Sequence, residues 1–366
     1  MDWSALIRPE LDGMKPYAPG LRASEVRERT GCDDVSKLSS NEYPLGPTPR
    51  AVEAMAAVLP HLNRYSDGSC HALKGRLASH WGVDERFLAI ANGSNELLRL
   101  IAQAVLSPGD EVVYAWPSFV VYPMVTRMFG AIAVPVALTS DARHDLPAML
   151  AACTERTRLM FLCNPNNPTG TIFTRDEWES FLAAVPEHVL VVLDEAYFEF
   201  VDDGAYPDGL KYFDGERPIV VARTFSKIYS LAGARIGYGF LPEPLLAAVD
   251  AIREPFNVNT VAQIGAFYSL EDQPEVVARK HVNREQKTYL YSCFDRLGIG
   301  YVPSHTNFVW VMTEKPAEAF EDLLREGVIV RSFGDTPALR VGVGTEEDTR
   351  RTVAALEAIV GRRGSF

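Results

Sequence analysis

Residues 220–239, V-V-A-R-T-F-S-K-I-Y-S-L-A-G-A-R-I-G-Y-G, carry a lysine at a place suited to chemistry. The stretch opens as a short apolar run of the kind that forms a buried parallel strand. It breaks at Arg223 and Thr224 into small polar residues around Lys227. In open α/β sheets ligands bind beyond the carboxyl ends of the strands, so a lysine there can react. Loss of solvent would lower its pKa, and the neutral amine can form a Schiff base. Taken alone, the pattern also fits a solvated surface lysine.

Three other stretches share that location at a strand end. In A-N-G-S-N-E-L-L (91–98) a strand stops, Gly93 permits a tight turn, and the amides of Ser94 and Asn95 open a helix whose dipole attracts a phosphate. Plain capping by Ser94 or Asn95 is the alternative. N-P-N-N-P-T-G (164–170) follows another apolar run; two prolines and a glycine make a rigid loop, with Asn164 nearest the strand end as the candidate amide. In V-V-L-D-E-A-Y (191–197) Asp194 directly follows an apolar strand, where a carboxylate is costly unless it meets a cation or a protonated ring nitrogen, and Tyr197 is three residues on. An ion pair with an arginine would also satisfy Asp194. Around Lys227 itself, Thr224, Ser226 and Arg235 offer the hydroxyls and guanidinium that a phosphate monoester needs. From Asp194 to Lys227 is 227 − 194 = 33 residues, about one β-α-β crossover, which puts the two at the ends of neighbouring strands. A Schiff-base lysine, an acid for a buried N–H⁺, an amide and a phenol for a phenolate oxygen, and a phosphate cup are together what pyridoxal 5'-phosphate asks for.

The elements that must hold these residues follow from the apolar pattern. Runs at 87–91, 111–115, 132–136, 159–163, 189–193, 218–222 and 236–240 alternate with helical periodicity and predict a mainly parallel α/β sheet of seven strands. Pro135 marks an edge or irregular strand. The first forty residues read as an arm without regular elements, highly charged over 22–29. Helices are expected from Pro49 and through Leu73 and Leu77 to Trp81. After Pro242 a long helical region to 297, strand-like stretches at 307–312, 328–333 and 338–344, and helices near 316–326 and 345–361 predict a smaller α+β unit. The expected organisation is an arm (1–48) joining the small domain, a large domain (49–270) and the small C-terminal domain (271–366).

Composition bounds the rest. The 366 residues are 47% hydrophobic and 23% charged, an ordinary globular balance. A net charge of −12 argues against a nucleic-acid footprint. No apolar run is long enough to span a bilayer, and the N-terminal stretch lacks the pattern of an export signal, so the expected compartment is the cytoplasm. Five scattered cysteines without a C-x-x-C pair suggest neither disulfides nor a metal site.

In order and spacing these motifs resemble the fold-type I, class II aminotransferases, and within them the histidinol-phosphate aminotransferases. The likeness runs from M-K-P-Y-A-P-G (14–20), N-E-Y-P-L-G-P (41–47) and N-R-Y-S-D (63–67) through the stretches above to T-N-F-V (306–309), G-V-I-V-R (327–331) and L-R-V-G-V-G-T (339–345). It implies that Lys227 carries the cofactor, that Asp194 partners the pyridine nitrogen, and that Asn164 and Tyr197 partner the ring's 3-oxygen. Thr224, Ser226, Arg235 and the amides of Ser94 and Asn95 would hold its phosphate. Phe119 would stack on the ring, at a position where the family more often has tyrosine; stacking survives that change and a hydroxyl contact does not. Tyr65 would reach the neighbouring subunit's cofactor, which implies a homodimer. Arg340 and Arg331 would bind the substrates' anions, with Tyr17 and Asn41 of the arm nearby. His305 reads as a loop residue. The implied reaction passes an amino group from an amine to a keto acid, with histidinol phosphate and 2-oxoglutarate as the favoured pair. An aromatic amino-acid aminotransferase, a decarboxylase on the same fold, and a non-catalytic pyridoxal-phosphate regulator are the alternatives.

Overall fold

The computed structural model describes residues 6–334 and 336–366. Residues 1–5, the start of the stretch read above as lacking an export signal, and Asp335 lie outside them. In chain order the strands are β1 (Ser36–Lys37), β2 (Leu88–Ala91), β3 (Glu111–Trp116), β4 (Ile132–Ala137), β5 (Thr157–Cys163), β6 (Leu190–Asp194), β7 (Ile219–Thr224), β8 (Gly237–Phe240), β9 (Tyr301–Val302), β10 (Phe308–Met312), β11 (Val328–Ile329), β12 (Arg331–Ser332) and β13 (Ala338–Gly342). The helices are α1 (Ala23–Thr30), α2 (Pro49–Val58), α3 (His71–Trp81), α4 (Ser94–Val105), α5 (Val121–Met128), α6 (Leu146–Ala151), α7 (Arg175–Leu182), α8 (Glu243–Ile252), α9 (Thr260–Glu271), α10 (Gln273–Leu297), α11 (Pro316–Arg325) and α12 (Glu346–Arg363).

Seven strands form the main sheet in the order β2-β8-β7-β6-β5-β3-β4. All neighbours are parallel except β8, which runs antiparallel to β2 and β7. The seven apolar runs of the sequence are these seven strands. The central strands are apolar on both faces because both are covered: Leu190 and Val192 of β6 join one core, Val191 and Leu193 another. β4 is the edge, where Pro135 lacks an amide that no outer strand needs. Register makes the carboxyl ends level. Cys163 is opposite Asp194, and Asp194 is opposite Ala222, so β5, β6 and β7 deliver their last residues to one rim.

A second sheet, β12-β13-β10-β9, packs on α10, α11 and α12 through a core of Val309, Val311, Leu323, Leu339, Leu356 and their neighbours. Leu38 of the arm sits in this core, and β1 pairs in parallel with β11. The arm departs from the sequence reading, since residues 23–30 form helix α1. Its charged residues are solvated and only Val26 is buried, against Leu324 and Ile329, so one apolar position carries what periodicity normally shows over several. The helical region after Pro242 is three helices, α8, α9 and α10, separated around Pro255 and at Asp272 before Pro274. No described helix is long and apolar enough to cross a membrane.

Candidate active site

Beyond the rim of β5, β6 and β7 lies a cavity of about 460 Å³, in the size range of small-molecule sites. Lys227, Asp194, Tyr197, Ser94, Asn95, Phe119, Thr224, Ser226, Arg235, Arg340, Tyr17 and Asn41 all line it. Four separate sequence stretches thus meet at one place.

Lys227 sits in the turn between β7 and β8. β7 continues through Arg223 and Thr224, beyond the break read from the sequence, because the Arg223 side chain is fully buried and paired behind the sheet. After it, the Thr224 hydroxyl accepts the Ser226 amide at 3.1 Å and the Ser230 amide bonds the Lys227 carbonyl at 2.9 Å, closing a tight loop. Lys227 Nζ lies 3.5 Å from the Ser40 carbonyl and 5.5 Å from the centre of the Tyr197 ring. Burial, helped by the Arg340 charge, pulls its amine down to about pKa 8.

Asp194 is 1% exposed, and no described arginine or lysine pairs with it. The Tyr122 hydroxyl donates to its Oδ2 at 2.9 Å and the Ala196 amide to Oδ1 at 3.2 Å. Burial nevertheless raises its carboxyl to about 6, with Tyr122 the strongest opposing influence. Tyr122 on α5 was not singled out in the sequence. It is fully buried and stacks on Phe161 at 4.6 Å, so packing rather than any motif aims it at Asp194.

The asparagine assignment changes. Asn164 does not line the cavity; it is fully buried, its Oδ1 accepts the Phe173 amide at 3.1 Å, and its Nδ2 meets no partner among the described residues. The loop amide that lines the cavity is Asn167, three residues on. Its Oδ1 accepts from Arg340 Nη1 at 2.6 Å, which leaves Nδ2 as the donor available on that side. The reason is that the first residue after β5 is still held inside the sheet by its backbone bond to Asp194, whereas the loop turns outward before Asn167.

A cup for an anion is built at α4. The Gly93 cap has φ 85° and ψ 157°, a region open to glycine, and no side chain caps the first turn. A Cβ on Gly93 would overlap the Arg235 guanidinium and come 3.0 Å from its Cζ, so the arginine lies where only a missing side chain leaves room. Ser226, Ser94 and Asn95 complete the same wall. Phe119 is half-buried and packs edge-on against Tyr122 at 5.7 Å.

Opposite, Arg340 reaches over from β13. It is 7% exposed, held by Asn167 and by the Ser39 carbonyl at 2.5 Å, and its Nε has no partner among the described residues. Burial lowers its guanidinium to about 10. Arg331 stands back from the cavity, its guanidinium 5.5 Å from the Tyr17 ring and bonded to the Ala18 carbonyl at 3.0 Å. The Asn41 amide donates to the Tyr197 hydroxyl at 2.8 Å, and Asn307 Nδ2 donates to the Asn41 carbonyl at 3.1 Å, holding the residue at φ 54°. His305 is half-buried and ties its amide to Gly170 at 2.8 Å. Tyr65 does not line this cavity; it is 83% exposed and stacked on Phe256 at 4.6 Å.

The donor set fits pyridoxal phosphate on features of the cavity itself. An uncapped helix start under an arginine suits its phosphate, a buried carboxylate without a cation suits a protonated ring nitrogen, and a lowered lysine suits its aldehyde. The family model "Aminotransferase class I and II" matches residues 33–356. The chain belongs to this family. It is 45% identical over 358 residues to the histidinol-phosphate aminotransferase of Moorella thermoacetica, covering 96% of this chain and 92% of that one. With histidinol-phosphate aminotransferase 2 of Carboxydothermus hydrogenoformans it shares 44% identity over 97% and 99% of the two chains. The crystal structure of histidinol-phosphate aminotransferase from Sinorhizobium meliloti in complex with pyridoxal-5'-phosphate superposes with a TM-score of 0.89 at 28% identity, over 97% and 98% of the chains. The aminotransferase family places the chain among enzymes that move amino groups, and the fold is theirs.

Proposed function

We propose that this aminotransferase uses pyridoxal phosphate to pass the amino group of histidinol phosphate to 2-oxoglutarate, giving imidazole acetol phosphate and glutamate, a step of histidine biosynthesis. The observation that carries the chemistry is the meeting of Lys227, uncompensated Asp194 and the Gly93–Arg235 cup in one cavity. The substrate rests on the relatives' names at 44–45% identity over nearly full length.

When bound, the cofactor supplies a carbonyl carbon that condenses with amines and a cationic ring that draws electrons from the substrate's α-carbon. Lys227 Nζ, neutral in a useful fraction near pH 8, would take the proton from the substrate's α-carbon and deliver it to the carbon that was the cofactor's carbonyl. The Asp194 carboxylate holds the ring N–H⁺, and the Tyr122 hydroxyl keeps that carboxylate ionised. Asn167 Nδ2, in place of Asn164, and the Tyr197 hydroxyl hydrogen-bond the ring oxygen. The Ser94 and Asn95 amides, Thr224, Ser226 and Arg235 hold the phosphate, and Phe119 covers the ring. Arg340 receives the substrate anion, with Arg331, Tyr17 and Asn41 around the entrance; both substrates carry an anion, so one arginine can serve both halves of the reaction.

We also propose a homodimer in which Tyr65 completes the partner's cavity. In support, Tyr65 is among the most exposed apolar side chains and shares its stretch with exposed Leu59 and Leu62. Light scattering that gave a monomer mass would remove this part. For the reaction, purified protein is expected to absorb in the visible, and Lys227→Ala to lose that band; an unchanged spectrum sinks the cofactor assignment. Single half-reactions with histidinol phosphate and phenylalanine decide the substrate. If phenylalanine leads in kcat/KM by about tenfold, about 1.4 kcal/mol of transition-state discrimination, the substrate reading fails.

A further inference from the structure

Behind the cavity, on the other face of the same strand ends, lies a charged cluster that the reaction does not use. Arg223 of β7 is fully buried. Its Nε and Nη2 reach Glu195 Oε2 at 2.9 and 2.7 Å, and Nη2 also reaches Asp208 Oδ1 at 2.8 Å. The guanidinium carbon lies 3.6 Å from the Phe198 ring centre and 4.2 Å from that of Trp81. The remaining Nη1 has no partner among the described residues, so the aromatic faces are its counterpart. Glu195 is equally buried, and its Oε1 accepts the Gly209 amide at 2.8 Å. The Tyr206 hydroxyl lies 3.0 Å from that oxygen and 2.8 Å from the Asn164 carbonyl.

The position of this cluster follows from strand alternation. Successive side chains point to opposite faces, so Asp194 and Thr224 face the cavity while Glu195 and Arg223 face away. Ala222, opposite Asp194 in register, precedes Arg223, and its carbonyl accepts the Glu195 amide at 2.8 Å. The ion pair therefore joins the residue after Asp194 to the residue before Thr224, and Tyr206 ties in the end of β5. A buried pair is not in itself a stabilising device, because apolar residues of similar volume often do as well or better. What a two-nitrogen fork on one carboxylate supplies is a fixed direction.

We propose that Arg223 and Glu195 are positioning residues that clamp the ends of β6 and β7 from behind and so set the placement of the Asp194 carboxylate relative to the Ser226–Lys227 turn. This rests on the roles given to Asp194 and Lys227 above, and the visible band of the wild-type holoenzyme tests those roles separately.

The test compares holoenzymes of wild type, Arg223→Lys, which keeps the charge and loses the fork, and the double variant Arg223→Met with Glu195→Met, which removes both charges. Denaturation midpoint, pyridoxal phosphate dissociation constant, kcat and KM are measured for each. The clamp predicts that both variants fold, bind the cofactor at least about tenfold more weakly, and lose at least about tenfold in kcat with KM for the amino donor changed less than about threefold, the signature of groups held slightly out of place. The double variant is decisive, since a purely structural pair would be replaced without loss of cofactor affinity or kcat. Losses smaller than about tenfold in cofactor affinity and kcat, in any variant that folds, overturn the proposal. Glu195→Gln, isosteric with the native residue, is held to the same outcomes if the others do not fold.

Discussion

Replacing Asp194 by asparagine should stabilise the cofactor-free protein while disabling the enzyme. The carboxyl is buried without a cation, and burial raises its pKa from 3.8 to about 6. At about 1.4 kcal/mol per unit, holding it ionised at neutral pH costs on the order of 3 kcal/mol. Asparagine has nearly the same shape and carries no charge to bury; its oxygen can accept the Ala196 amide while its NH2 donates to the Tyr122 hydroxyl, which turns to accept. The sign of the pH dependence follows. A carboxyl whose folded pKa is raised binds more protons folded than unfolded between 3.8 and about 6, so wild-type stability falls as pH rises through that window. The advantage of Asp194→Asn should therefore be small near the lower end and full above the upper end. Urea denaturation of the cofactor-free proteins at both pH values measures it. Adding pyridoxal phosphate should cancel most of this advantage, because the ring N–H⁺ partners the carboxylate and not the amide. If the variant binds a hundredfold more weakly, it forgoes about 2.7 kcal/mol of ligand-dependent stability. A variant no more stable than wild type without cofactor at neutral pH, or a gain independent of pH, would refute the argument.

Lys227 should stand out chemically in the cofactor-free protein. With its amine at about 8 rather than 10.5, its neutral fraction at pH 7.5 is about two hundredfold that of an ordinary lysine, so acylation followed by peptide mass spectrometry should mark it ahead of the surface lysines, with a half-point near pH 8. A half-point above 10 would show that burial does not act on it as described. Gly93→Ala should lower the unfolding free energy by about 1–3 kcal/mol, since its φ and ψ suit glycine alone. It should also push Arg235 out of place and weaken cofactor binding by at least about tenfold; unchanged affinity would separate the cup from the cofactor.

Much of the site was legible in the sequence because its residues sit at strand ends, where an apolar run stops and a reactive or polar residue follows. That pattern is local, so Asp194, Lys227, Ser94 and Arg235 could be picked out, and the neighbouring placement of Asp194 and Lys227 argued from one crossover length. The misplaced amide shows the limit. N-P-N-N-P-T-G announces a rigid loop, but which of its asparagines faces the cavity depends on where the chain leaves the sheet, and the backbone bond from Asn164 to Asp194 delays that point. Helix α1 was missed for a related reason, since its single buried residue, Val26, contacts Leu324 and Ile329 far along the chain and leaves no period to read.

By itself, then, the sequence determined the chemistry and the layered α/β frame, because side-chain type and apolar period are properties of short stretches. Tertiary structure alone decided what surrounds each reacting group. It aims Tyr122 at Asp194, brings Arg340 across from the second sheet to Asn167, and turns Arg223 from an apparent end of a strand into its buried anchor. Each of these joins residues dozens to more than a hundred positions apart. Such contacts are settled by packing and by the need to give buried polar groups hydrogen-bond partners, and neither leaves a trace in local order.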